Sequence, residues 1–589
     1  MRLTIATLML GAGAGAAALV AGCSGAERGG GAACDRACLE GFLDLYLEAL
    51  VAGDPTRLPL ADDAVFVENN QTLEIGQGTW RTVTGLGRYR HYFADAAAAQ
   101  AAVIAVVEEN GTDIIYDLRL AIADREIAEI EALAIRDPAG AARYEERGAP
   151  HPKFLETVPA ERRLPRERLV AVADRYLSGM QRNDPYGDYS FFHDECDRWE
   201  HARRTTNNDP EEYGHSTDTV FVTLGCRAQF ETGFLGFVTR IRDRRYVVVD
   251  EERQTVFGFA MLDHDGTVRS IPLASGEDFV VPPYFSSPRM LQAGEAWRIE
   301  EEKIRQIEMT LTELPYGMRP AFPTGDAWLS DPPGLELAVQ GGILCDRLCL
   351  ESFLGAFLTA LIRKDPSVLP GADTLTYFEN RQRLEVGDGL WGTVTGIGGY
   401  RIAASDPDSQ TAVFVGTIVE TDVTGLLFAR VTLAGDRVGT IETFVVREER
   451  PGERGGTLTL FAPRLRDAFD PARFAAVDPS LTFMPPFQVA SDPTALAQTA
   501  REYFAGLETA AAALRGRRTW VADVARGLVV DVAFLDVAND EAAFAGVDDA
   551  VPAQSSGPYS IMTAALHKVV DGVLVTTESA ALPVPYGME

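Results

Sequence analysis

The densest run of chemically able side chains lies between Tyr186 and His201, where Tyr189, His193, Asp194, Glu200 and His201 stand among Phe191, Phe192 and Cys196. His193-Asp194 would supply a base and Tyr189 an oxyanion donor, a set fit for proton abstraction, dehydration or isomerisation without a cofactor. Geometry opposes this reading. In an extended segment successive side chains point to opposite faces, so Phe191, His193 and Glu195 would share one face and Phe192, Asp194 and Cys196 the other. His264, in Asp263-His264-Asp265-Gly266, reads as a turn residue, and His201 and His215 as residues of a polar loop.

A second polar set occurs twice. Cys34-Asp35-Arg36-Ala37-Cys38-Leu39-Glu40 returns as Cys345-Asp346-Arg347-Leu348-Cys349-Leu350-Glu351, and the match runs without a gap to Asp95 and Asp406. It retains Glu68, Asn69, Gln71, Glu74, Trp80, Thr82, Thr84, Tyr89 and Arg90. Asn69, Trp80 and Tyr89, with the counterparts Trp391 and Tyr400, are candidate ligand contacts. The scaffold alternative places Asn69 in a turn, Trp80 and Tyr89 in a core, and the Glu–Arg pairs at the mouth of a pocket. His91, the general-base candidate of the first copy, is replaced by Ile402 in the second. Both halves end alike, in Leu314-Pro315-Tyr316-Gly317-Met318 and Val584-Pro585-Tyr586-Gly587-Met588.

The elements that must hold these residues follow from hydrophobic spacing. Leu39, Phe42, Leu43, Tyr46, Leu47 and Leu50 predict a helix over 34–52. A short strand over 64–68, a helix over 86–93 and strands over 101–108, 112–121 and 126–135 follow. The same plan is predicted next: helices over 166–182 and near 229–239, then strands over 246–250, 255–262 and 296–312. A third such unit is the repeat. A fourth is short, because Tyr176 aligns with Tyr503 whereas Asp250 aligns with Asp523, so a stretch corresponding roughly to 181–230 is absent from it. Helices flanking runs of antiparallel strands, without β–α–β alternation, indicate α+β.

Seven cysteines leave one over after pairing. The leader explains it. Met1-Arg2 precedes an apolar, small-residue run ending in Val20-Ala21-Gly22-Cys23, and a glycine-rich tether follows. The residues Val-Ala-Gly-Cys resemble the lipobox of bacterial lipoproteins, which implies export and a lipid on Cys23. In an oxidising compartment three disulfides are the economical reading of the rest. Cys196 and Cys226 vanish together from the fourth unit, as partners would. Cys34–Cys38 and Cys345–Cys349 need their first sulfur in a helix cap, since sulfurs four apart on a regular helix are poorly placed. A structural zinc is the alternative there, without a histidine at ligand spacing; no other metal and no cofactor is expected.

The order of elements resembles the nuclear transport factor 2-like superfamily, which includes SnoaL-like polyketide cyclases, ketosteroid isomerases and scytalone dehydratase. Glu231-Thr232-Gly233-Phe234, Val238 to Arg245, Val249 to Arg253 and the Pro-Tyr-Gly-Met endings look like an uncharacterised family of secreted proteins common in fungi. The resemblance implies four tandem cystatin-like cone domains in two pairs, each a curved sheet on helices around an apolar pocket. The expected organisation is a leader (1–22), a tether (23–33), domains over 34–150 and 151–320, a linker (321–344), a domain over 345–455, a linker (456–494) and a shortened domain over 495–589.

Composition narrows the partners. With 54 Lys+Arg against 86 Asp+Glu the chain carries −32, which argues against duplex nucleic acid. Phosphate-loop, dinucleotide, His-Glu-x-x-His and Gly-x-Ser-x-Gly patterns are missing. The expectation is an exported, lipid-anchored cell-envelope protein that binds a small apolar molecule, with the first half the more active. A lyase or isomerase in the second domain, or a purely structural role with domains packed as intramolecular pseudo-dimers, are the alternatives.

Overall fold

The computed structural model describes residues 34–213, 220–322, 345–421, 423–447, 494–495, 497–499, 512–524, 526–537, 558–570 and 573–588. The leader, Cys23, the tether, His215 and most of both linkers lie outside the described residues. What is described is a mixed α+β structure of mostly open sheets.

The first sheet runs, edge to edge, Gln71–Leu73, Leu60–Glu68, Glu126–Ile135, Thr112–Ala123, Gln100–Glu109, Val83–Asp95. Its neighbours are antiparallel except Leu60–Glu68 beside Glu126–Ile135, which are parallel. The second sheet (Arg203–Arg204, Phe192–Glu200, Lys303–Leu314, Arg289–Glu300, Thr255–His264, Arg240–Asp250) has the same order, with the parallel pair again second to third. The third sheet, from Gln382–Leu384 to Val394–Asp406, repeats it once more. The fourth has four strands, Ala512–Asp523, Leu528–Val537, Tyr559–Val570 and Val573–Val584. Among the described residues it has no counterpart of Phe192–Glu200 and Arg203–Arg204, both inside the stretch that the fourth unit lacks.

One face of each of the first three sheets takes a helix. Helix Arg36–Ala52 buries Leu39, Leu43, Tyr46, Leu47 and Leu50 on the first sheet, and Arg166–Met180 buries Leu169, Val172, Tyr176 and Leu177 on the second. The opposite faces of the first two sheets meet in an apolar layer that includes Tyr89, Phe93, Ile104, Phe257 and Phe259, with Phe93 stacked on Phe257. The third and fourth sheets meet likewise through residues such as Tyr400, Phe428, Phe444, Trp520 and Met562.

The repeated Cys-Asp-Arg-x-Cys explains itself here. Cys34 is disulfide-bonded to Cys38 and Cys345 to Cys349, each pair closing the start of its helix. Asp35 and Asp346 cap those helices through Cys38 N and Cys349 N. Arg36 then reaches the second sheet at Asp250 (2.6 Å), and Arg347 the fourth sheet at Asp523 (2.5 Å). Each motif therefore locks a helix and the neighbouring sheet together.

Three expectations fail. Residues 86–93 belong to strand Val83–Asp95, not a helix, and the ladder to the next strand slips between Leu86 and Arg90. The single strand over 296–312 is two, Arg289–Glu300 and Lys303–Leu314, joined through Glu301 and Glu302 at positive φ. The single helix expected near 229–239 is two short ones, the α-helix Cys226–Phe230 and the 3-10 helix Phe234–Phe237.

Candidate functional site

The residues singled out for catalysis do not form a site. Tyr189 is buried, its hydroxyl on the Asp184 carbonyl and the Asn183 amide (2.7 Å) and its ring against Phe191 and Phe230. His193 is half-buried and its Nδ1 accepts the Glu195 backbone N–H (3.0 Å), while Asp194 is exposed. No hydrogen bond joins any two of the three. Cys196 is disulfide-bonded to Cys226, tying strand Phe192–Glu200 to the turn that follows.

The ligand candidates separate too. Trp80 packs edge-on to Tyr46 under the first helix, and Trp391 against Phe357 and Tyr377 under its counterpart. Asn69, at φ +46°, bonds both polar groups of Ala134, as Asn380 bonds Val445. Tyr89 and Tyr400 lie on the other faces of their sheets, in the layers between sheets. The interiors beneath helix Arg36–Ala52 and its counterpart Arg347–Arg363 are instead closed by a repeated ionic knot. Glu109 holds Arg136 at 2.8 and 2.9 Å, and Glu68 accepts Thr79; Glu420 and Glu379 both hold Arg447. The knot dictates a glycine, since a Cβ at Gly78 would lie 2.6 Å from the Glu68 carboxylate and one at Gly389 2.3 Å from that of Glu379.

Two buried clusters were not anticipated. Between the first two sheets, Glu308 takes hydrogen bonds from Tyr89, His91 and Arg147, each at 3.0 Å. Burial pushes the Glu308 carboxyl up, but Arg147, His91 and Tyr89 overcome it and hold it down at about 2. Burial lowers His91 despite its carboxylate partner. Nearby, burial raises Asp117 to about 7. Thr310 Oγ1 donates to Asp117 Oδ2, which offsets that rise in part, and lies 3.0 Å from the Gly294 carbonyl. Inside the second unit, Glu295 is raised by burial to about 8, with Tyr176, Arg198 and Glu200 as its ionisable neighbours. Sequence spacing hides both clusters, because their members come from different sheets or from strands a hundred residues apart.

Two more histidines move. His201 is buried, with Nδ1 on Asp137 (2.7 Å) and Nε2 accepting the Leu311 N–H. His264 is a strand end rather than a turn residue, buried between Phe237 and Phe285, which lowers it to about 4.

Space for a ligand lies elsewhere. A cavity of about 440 Å³ opens between the third and fourth sheets, floored by Phe378, Phe444, Trp520, Val532 and Met562 and rimmed by Arg381, Arg430, Glu442 and Arg518. A hollow of about 530 Å³ beside Arg147, His151 and Trp199 is open to solvent, and a gap between the halves holds about 80 Å³. Among the described residues, no group of three or more His, Cys, Asp or Glu is placed to hold a metal ion, and no helix is long and apolar enough to cross a membrane.

No curated protein matches the chain. Over residues 162–311, from the start of helix Arg166–Met180 to within strand Lys303–Leu314, it is similar to a domain of unknown function, DUF8021.

Proposed function

We propose that the chain is an exported, lipid-anchored protein of four nuclear transport factor 2-like units in two pairs, and that it binds a small, largely apolar molecule. Three repeats of one strand order support the four-unit reading, and facing sheets support pairing as intramolecular pseudo-dimers. The observation that carries binding is the 440 Å³ cavity between the third and fourth sheets, of ligand-site size and apolar floor. On this reading binding lies in the second half, not the first as expected, and between sheets rather than under a helix. Solvent extraction of the natively purified protein, followed by mass spectrometry, should recover an apolar compound that is lost from Val532→Trp, where the indole fills the cavity. Identical extracts from both proteins would refute the reading.

One observation favours a cofactor-free lyase or isomerase as a second reading. Glu295, kept protonated by burial to about 8 beside the Tyr176 phenol, offers an acid and an oxyanion donor inside the second unit. That version requires Glu295→Gln to abolish turnover of a carbonyl substrate while leaving the fold intact.

A further inference from the structure

Helix Arg347–Arg363 turns to solvent a face that its repeat counterpart, Arg36–Ala52, does not have. Its buried side, with Leu350, Leu354, Phe357 and Leu361, packs on the third sheet. On the other side Leu348, Ser352, Gly355, Thr359 and Ile362 recur at intervals of four and three residues, the spacing of a seam between two helices. All five are exposed, Leu348 at 73% and Ile362 at 40%. None is charged. In the first helix the same positions hold Ala37, Gly41, Asp44, Glu48 and Val51, so the second helix has two carboxylates fewer here and large aliphatic side chains at both ends.

The polar members of this seam are already satisfied. Ser352 Oγ donates to the Leu348 carbonyl and Thr359 Oγ1 to that of Gly355, both at 2.8 Å, so neither hydroxyl proton needs water once the face is covered. At the middle, a Cβ on Gly355 would meet nothing within 4 Å, which leaves room for a second backbone to approach. The seam is also symmetric about that glycine. Leu348 stands seven residues before it and Ile362 seven after, Asp346 nine before and Lys364 nine after. An antiparallel copy of the same helix, on a two-fold axis at Gly355, meets it in kind: Leu348 of each lies against Ile362 of the other, and the exposed N-cap Asp346 faces the C-cap Lys364, with exposed Arg363 beside it. The first helix is unfit for this. The same axis would set Asp44 against Asp44, and its C-terminal end has Ala52 and Gly53 in place of Arg363 and Lys364.

We propose that helix Arg347–Arg363 pairs antiparallel with the same helix of a second copy of this chain, forming a homodimer whose two-fold axis passes at Gly355. Charge selects the partner and the orientation. At −32 per chain two copies repel over most of their surfaces, so they meet at an uncharged face, and only the antiparallel arrangement brings the acidic end of one helix to the basic end of the other.

Analytical sedimentation of the full chain tests this. The wild type should show a dimer fraction that rises with concentration up to about 100 μM, because one helix pair falls short of the roughly 1,200 Å² of a tight interface. Gly355→Glu and Gly355→Lys, whose side chains enter open space in the single chain, should each weaken association at least about tenfold by setting like charges on the axis. An equal mixture of the two variants should associate again, as a dimer with one of each. A wild type that stays monomeric would overturn the proposal. Association unaffected by either variant would move the contact to another face, and a mixture that stays monomeric would remove the axis at Gly355. At a concentration where the wild type is monomeric, faster amide exchange in this helix of Gly355→Glu would show that the same chain covers the face, which excludes the second copy.

Discussion

Glu295 and Asp117 are carboxyls that folding keeps protonated. Burial lifts Glu295 from an ordinary 4.5 to about 8 and Asp117 from 3.8 to about 7. Between those values the folded state holds protons that the unfolded chain has released, so stability falls as pH rises, by up to about 1.4 kcal/mol per pH unit for each group. The opposite sign applies to Glu308 and His264. Glu308 is held at about 2 against 4.5, so its contribution is present above 4.5 and lost as pH falls toward 2. His264, lowered to about 4 from 6.5, adds a loss as pH falls from 6.5 to 4, where only the unfolded chain takes up the proton. Urea unfolding from pH 3 to 9 should therefore give a maximum of stability with two falling arms. Glu295→Gln, which keeps the shape and removes the charge, should flatten the alkaline arm. Parallel wild-type and Glu295→Gln curves would mean that Glu295 ionises freely in the folded protein.

Helices and central strands were legible because their burial is periodic: Leu39 to Leu50 line one helical face, and the strands at 112–123 and 126–135 needed only end corrections. Strand Val83–Asp95 was misread because its ladder slips between Leu86 and Arg90, so the two-residue burial of Tyr89, His91 and Phe93 does not extend back to the exposed Leu86. The candidate site was hardly legible. Adjacency suggested His193 and Asp194, whereas Glu295, Glu308 and Asp117 are buried ionisable groups whose neighbours are set by sheet packing. The absent stretch of the fourth unit was legible as sequence and has a structural meaning: it holds strands Phe192–Glu200 and Arg203–Arg204 at one side of the second sheet, and Cys196–Cys226 ties the first of them to the short helix Cys226–Phe230. Opening this bridge frees a loop with a sequence separation of 30, worth about 3–4 kcal/mol by loop entropy. In Cys196→Ser/Cys226→Ser, amide exchange should accelerate across 192–230 while strands Thr255–His264 and Arg289–Glu300 stay protected. Uniform acceleration through the second sheet would show that the staple holds the whole unit and not its edge.

At the scale of the molecule the two Pro-Tyr-Gly-Met endings join the halves. Tyr316 donates to Asp388 of the second half (2.7 Å), and Gly317, at φ +79°, lies so close to Leu384 that a Cβ would sit 2.2 Å from it. Met318 turns back to Gln71 of its own half. The second ending mirrors this: Gly587, at φ +81°, abuts Leu73 of the first half with 2.4 Å to a Cβ, and Met588 returns to Gln382. Leu73 and Leu384, like Gln71 and Gln382, are repeat counterparts, so each ending grips the other half's hairpin and its own, as a two-fold dimer interface does. If these grips rather than the connecting chain hold the halves, a specific protease site placed between residues 322 and 345 can be cut without separating them. The cut protein should elute from a sizing column as one species of full mass. Gly317→Val/Gly587→Val puts side chains where Leu384 and Leu73 stand and strains both positive-φ turns. After the cut this variant should elute as two smaller species, each retaining its far-ultraviolet dichroism. Separation of the cut wild-type halves would show that the covalent linker, and not the reciprocal endings, keeps the second pair against the first.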